Sequence, residues 1–359
     1  MKRGFIGLYT MICTLLLTAG FLSVFYFSWQ AGLGATAMGI GGLVTGVVLA
    51  PIVHELGHLF FGKTVGMDCV YVKCFCFRIA MKDGKKSFSF ASPFAPDQTQ
   101  VLPKYSGNMK KRAALYTLGG LIFGGVFFAL LLAGSVLISI VQKPSFFLWG
   151  SCVYAGYLFL LNAVPAQYGE GKTDMLIYLG IRREEDAEQT MLAAMEIQGF
   201  LAEGKSFSEI EESYYYDLPV LCEDEPMFAV MLDLRYRYHL EKEEYDKAAD
   251  SINRLASIQA YLSDEELEKI AAELVYLHSL EGNLPLAEES GKICREFLSS
   301  NLVTAKRILL AYSLAAGKRE ALDPLFAQAE AALRLERIQG IEKFERILID
   351  RIKRSANGE

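Results

Sequence analysis

Two textures divide the chain. In the first half, apolar residues run on without a polar face. Between Gly4 and Gly62 the only charged or imidazole side chains are His54, Glu55 and His58, and between Ala113 and Pro165 there is only Lys143. A bilayer core takes about 20 apolar residues per helix. These stretches therefore predict four spans, at Phe5 to Trp29, Ala35 to Gly62, Ala113 to Val141 and Phe146 to Val164. The first follows Lys2 and Arg3 as a signal peptide would. Its apolar run is too long for one and lacks a small-residue cleavage site, so it reads as a retained helix.

Between the second and third spans the period changes. "DCVYVKCFCFRIAMKDGKKSFSFAS" alternates on either side of Asp83-Gly84, the pattern of a β-hairpin. Cys74 and Cys76 read as neighbours on one strand face, and Pro93 to Pro103 as a connecting loop with Pro96 and Pro103 as breakers. From Glu184 onward the pattern is that of amphipathic helices in antiparallel pairs. "HSLEGNLPLAEES" and "YSLAAGKREALDP" place Gly282 and Gly317 35 residues apart, near the 34-residue tetratricopeptide period. The expected fold is mainly α. A polytopic membrane helix bundle occupies residues 1–183, with about four spans, a short helix and a small β-hairpin. A soluble α-helical repeat domain follows at 184–359.

Charge follows the same division. Residues 1–183 hold 16 Lys+Arg against 6 Asp+Glu, a net of +10, and the remainder holds 20 against 36, a net of −16. Ten of the basic residues lie between Lys63 and Arg112, whereas the segment from Trp29 to Ala35 has none. The positive-inside rule then places this chain in the cell membrane as a multi-pass protein with both termini cytoplasmic. The basic segment either contacts anionic membrane lipid or serves only to fix topology. Seven cysteines, mostly in spans or on the cytoplasmic side, argue against a disulfide framework. No nucleic-acid patch and no phosphate-binding glycine loop is present.

Candidate chemistry lies in "VLAPIVHELGHLFFGKTVGM", where His54-Glu55-Leu56-Gly57-His58 forms H-E-x-x-H. Residues four apart share a helix face, so both imidazoles reach one metal, and the neutral ring nitrogens suit Zn2+. Glu55 beside them is placed to take a proton from water at the metal. Each ionisable residue in a span costs roughly 2.5–3.5 kcal/mol on insertion scales, so three together need a use. His54 precedes Lys63 by about nine residues, which puts it about 13 Å below the helix end at 1.5 Å per residue. A third ligand has to be an acid, since His239 and His278 lie far along the chain. Asp68, Asp83 and Asp97 fall between spans, and Glu170 and Asp174 follow the fourth span.

These residues resemble the site-2 proteases, a family of intramembrane zinc metalloproteases. Asn162-Ala163-Val164-Pro165 matches the family's N-x-x-P, Gly62 and Gly66 its small residues after the second histidine, and Leu118-Gly119-Gly120 its glycine-rich patch. The resemblance covers about residues 35 to 181. It implies His54, His58 and an aspartate as metal ligands, Glu55 as the catalytic base and Asn162 as a substrate-binding residue. The family's usual spacing lands on Glu170-Gly171, and a longer loop lands on Asp174-Met175. Asp174 is the preferred ligand because it opens an apolar segment, Met175 to Ile181, whereas Glu170 sits among turn glycines. Thr173 or Asp174 serves as the helix N-cap.

The implied activity is zinc-dependent endoproteolysis in or near a transmembrane segment, on a membrane-protein or peptide substrate. The helical repeats would recruit substrate or a protein regulator. The alternatives are a catalytically inactive membrane scaffold acting through its repeats, and a metal transporter. The second wants further polar residues across the spans, and the sequence lacks them.

Overall fold

The computed structural model describes residues 3–82, 85–92, 98–168 and 171–358. Asp83-Gly84, Pro93 to Asp97 and Glu170 lie outside the described residues. The chain forms two compact units. One comprises Met1–Leu102 and Asn108–Glu188, and the other comprises Pro103–Gly107 and Gln189–Glu359.

The first unit contains four helices long and apolar enough to cross a membrane: α1 (Arg3–Gln30), α2 (Leu33–Thr64), α3 (Met109–Val141) and α4 (Phe146–Ala163). Lipid gives apolar side chains little reason to prefer each other, so such helices associate where small residues let their backbones approach. Helix α2 does this twice against α4. A Cβ on Gly42 would lie 2.1 Å from the Phe147 carbonyl oxygen, and one on Gly46 2.7 Å from that of Ser151. Ser151 Oγ donates to the Gly42 carbonyl at 3.0 Å, which fixes α2 against α4. Pro51 lies inside α2 one turn before His54, where it removes one backbone donor without ending the helix.

Between α2 and α3 lies a four-stranded sheet of order β3-β2-β1-β4, made of β1 (Met67–Cys74), β2 (Phe77–Lys82), β3 (Lys85–Phe90) and β4 (Gln98–Pro103). Strands β2 and β3 form the expected antiparallel hairpin, with Arg78 opposite Ser89, and β1 pairs antiparallel with β2, with Tyr71 opposite Ala80. Two expectations are corrected. Cys74 ends β1 and Cys76 sits in the turn before β2, with Phe75 at φ 51°, so the two cysteines do not share a strand face. The stretch ending at Pro103 is not all loop. Thr99 and Pro103 are buried on β4, and an edge strand tolerates the proline that suggested a break.

After α4 a short hairpin, β5 (Gln167–Tyr168) and β6 (Gly171–Lys172), leads into α5 (Asp174–Arg183). Thr173 organises this corner. Its Oγ1 accepts from the backbone N–H of Leu176 and of Ala166 and donates to the Val164 carbonyl at 2.8 Å. The hydroxyl thus caps α5 and ties it back to the end of α4.

The second unit is helical throughout its regular structure: α6 (Asp186–Ala202, which begins in the first unit), α7 (Ser213–Tyr216), α8 (Pro226–Glu241), α9 (Tyr245–Ser257), α10 (Asp264–Leu280), α11 (Leu284–Ile293), α12 (Arg295–Ser299), α13 (Val303–Ala315), α14 (Leu322–Leu333) and α15 (Gln339–Asn357). Helices α8 and α9, α10 and α11, and α13 and α14 pack as consecutive pairs. Each pair turns through one residue of positive φ: Glu243 (61°), Gly282 (73°) and Gly317 (68°). After each, the next backbone N–H returns to a carbonyl five residues back: Glu244 to His239, Asn283 to His278 and Lys318 to Ser313. That closure satisfies carbonyls left open at the helix end. The apolar faces, including Tyr215, Leu240, Ile252, Ile308 and Leu348, merge into one core.

Candidate metal centre

His54, Glu55 and His58 lie within α2 and are 7%, 5% and 6% exposed. Their surroundings are set by the crossing of α2 and α3. A Cβ on Gly57 would lie 2.2 Å from the Gly119 carbonyl oxygen, and one on Gly119 2.4 Å from that of Gly57. No side chain fits at either position, so the two backbones touch. Gly120 then faces the imidazoles, and a Cβ there would fall 2.3 Å from His58 Nε2 and 2.7 Å from His54 Nε2. Of the glycine pair that the sequence marked as a patch, Gly119 admits the α2 backbone and Gly120 leaves room for the two rings.

His58 Nδ1 lies 3.0 Å from the Tyr116 carbonyl oxygen. A carbonyl can only accept, so Nδ1 carries a proton, and in the neutral ring the lone pair on Nε2 faces inward. The His54 ring stands 5.0 Å from that of His58 at 82°. Asp174, the first residue of α5, brings Oδ2 to 3.0 Å from His54 Nε2 and 3.3 Å from His58 Nε2. Oδ2 is buried and has no hydrogen-bond partner.

Three atoms with lone pairs thus point at one another. With both rings neutral, acceptor faces acceptor, and a shared cation would relieve the repulsion. Ligands about 2.0–2.1 Å from a tetrahedral zinc stand about 3.3 Å apart, and the two nitrogen–oxygen separations match that spacing. Among the described residues these three form the one group of histidine, cysteine and acid side chains close enough to hold an ion. Two imidazoles and one carboxylate supply three ligands, one fewer than the four of a closed tetrahedral zinc site.

The sequence-predicted residues fall as follows. His54, His58 and Asp174 converge, and Glu55 sits beside them. Thr173 takes the capping role and leaves the Asp174 carboxylate free for the centre. Asn162, near the end of α4, donates its side-chain amide to the Leu158 carbonyl of its own helix at 3.2 Å. Two residues escaped the sequence reading. Thr99 Oγ1 donates to Glu55 Oε2 at 2.5 Å, and Tyr116 supplies the carbonyl for His58. Only residue spacing was available as a signal, and Thr99 lies 44 positions from Glu55 and Tyr116 58 positions from His58.

Comparison with known proteins gives no match: no family model, no curated protein and no solved structure aligns with the chain.

Proposed function

We propose that this chain is a membrane-embedded zinc endopeptidase of the site-2 protease type, cutting a peptide bond in or near a transmembrane segment of another protein. The observation that carries this reading is the set of facing lone pairs on His54, His58 and Asp174, with an acid at the next helix position. Structural ion sites have no use for a fourth, non-ligating carboxylate. A peptidase does.

In this reading His54 Nε2, His58 Nε2 and Asp174 Oδ2 hold zinc. The ion supplies Lewis-acid chemistry when bound: it makes water a stronger nucleophile and polarises the scissile carbonyl. Glu55 takes the proton from the attacking water and passes it to the leaving amine. His54, Glu55 and His58 are buried and Asp174 is largely covered, which limits the access of bulk water to the ion. Asn162 serves substrate binding by turning its amide from Leu158 toward an incoming peptide. The helical unit is a tetratricopeptide-like platform, a reading supported by its three turns of one geometry, and it recruits a substrate or protein regulator on the cytoplasmic side.

The test is co-expression with reporters that each carry a single transmembrane helix. Glu55→Gln is expected to lower cleavage by about 10²–10⁴-fold while zinc content stays unchanged. Cleavage that survives this change would contradict the peptidase reading.

A further inference from the structure

Glu55 is not loose beside the histidines. The Thr99 hydroxyl donates to its Oε2 at 2.5 Å, and Thr99 is itself only 9% exposed. The terminal torsion of a glutamate is soft, so one fixed donor decides where the carboxylate points. Thr99 is held in turn, because its carbonyl accepts the Tyr116 hydroxyl at 2.5 Å. The Tyr116 carbonyl accepts from His58 Nδ1. Base, metal ligand and strand β4 therefore share one run of hydrogen bonds, with the second carboxylate oxygen, Oε1, left for proton transfer.

The far end of β4 is gripped elsewhere. Residues 103–107, which begin at the last residue of the strand, belong to the helical unit. Gly107 N–H donates to Glu196 Oε2 at 2.6 Å, and Ser106 Oγ donates to Glu203 Oε2 at 2.8 Å. Gly199 of α6 comes so near that a Cβ there would lie 2.6 Å from the Tyr105 carbonyl oxygen. Six to eight residues after Thr99, the chain is thus fixed to α6.

We infer that Thr99 is the positioning residue for Glu55, and that β4 is the connection through which the helical unit sets where that base points. The kinetic consequence rests on the peptidase reading, whereas the placement of Glu55 does not. The required feature is a hydroxyl donor. Thr99→Val keeps the shape and loses the donor, and Thr99→Ser keeps the donor.

The test uses the full chain, zinc-loaded in detergent, with carboxyl groups isotope-labelled for infrared spectroscopy. The Glu55 band is the one that Glu55→Gln abolishes. It is expected to shift in Thr99→Val, to return in Thr99→Ser, and to shift part of the way in Glu196→Ala/Glu203→Ala, with zinc content unchanged in all three. An unmoved band in Thr99→Val overturns the positioning role. An unmoved band in the double variant overturns the part assigned to the helical unit. On a reporter that the wild type cleaves, Thr99→Val is expected to lower kcat by about 10–100-fold with KM unchanged, and Thr99→Ser to restore it. Equal kcat in Thr99→Val and wild type counts against the proposal. A shifted band in a protein that cleaves no reporter leaves Thr99 placing Glu55 and removes the peptidase reading instead.

Discussion

Each unit buries a cluster of ionisable groups among its described residues, and these two clusters differ in kind. In the helical unit, Arg307 lies fully buried between two glutamates. Its Nη2 donates to Glu273 at 2.7 and 2.9 Å, and its Nε donates to Glu345 at 2.7 Å. Tyr236 donates to Glu273, Thr304 donates to Glu345, and the guanidinium lies 4.1 Å from the Tyr276 ring centroid. Donors meet acceptors and positive meets negative, with only Arg307 Nη1 lacking a hydrogen bond. In the membrane-type unit, two imidazole nitrogens converge on one carboxylate oxygen, and with both rings neutral acceptors face acceptors. One cluster is complete as protein. The other has the spacing and the donor atoms to take up a cation. Burial of charge by itself therefore does not distinguish the two; what faces the buried groups does.

The largest expected effect strikes the incomplete cluster alone. Gly120→Ala pushes a methyl into both imidazoles and is expected to abolish zinc binding, measured as zinc per chain. Gly124→Ala, whose Cβ would sit at an ordinary 3.5 Å from His54 Nδ1, is the matched change expected to keep it. Equal zinc in the two variants would break the contrast between the clusters.

Arg307→Met does the converse. It leaves Glu273 and Glu345 buried without their cation and is expected to cost about 3–5 kcal/mol, read from hydrogen exchange of α10 amides, with zinc content unchanged. A smaller effect follows from pH. Burial works against the charge on Glu273, but Arg307 and Arg237 outweigh it and hold its carboxyl below the usual range. A lowered folded value means the stability is fully present above the unfolded value, about 4.3, and is lost as pH falls through the folded one. The α10 amides are expected to keep their protection down to about pH 4 and lose it below. Arg307→Met should flatten that dependence.

The smallest expected effect is at the corner that delivers Asp174. Thr173→Ala removes the α5 cap, at a cost of about 1 kcal/mol, and is expected to weaken zinc affinity by about 10-fold. Thr173→Ser should behave as wild type in a competition titration with a chelator.

The sequence made the incomplete cluster far more legible than the complete one. H-E-x-x-H is local, so helical spacing alone puts His54 and His58 on one face. Asp174 was within reach because it opens an apolar segment after the fourth span. Thr99 was hidden for a physical reason: it sits on a strand flanked by prolines and reaches Glu55 only through the tertiary fold. The fate of Glu273, Arg307 and Glu345 was equally hidden. Each reads as a solvated charge on an amphipathic helix, and only the stacking of α10, α13 and α15 buries them together. The glycines at 119 and 120 were visible as a patch, but the contact of one backbone with another that gives them meaning has no sequence period.

The most direct test of a cation held by three converging side chains is zinc per chain in purified, zinc-reconstituted protein, comparing wild type with Asp174→Ala. One zinc in the wild type and none retained by Asp174→Ala after dialysis is the expected result. A wild type that takes up no zinc, or an Asp174→Ala that holds it as tightly, would contradict it.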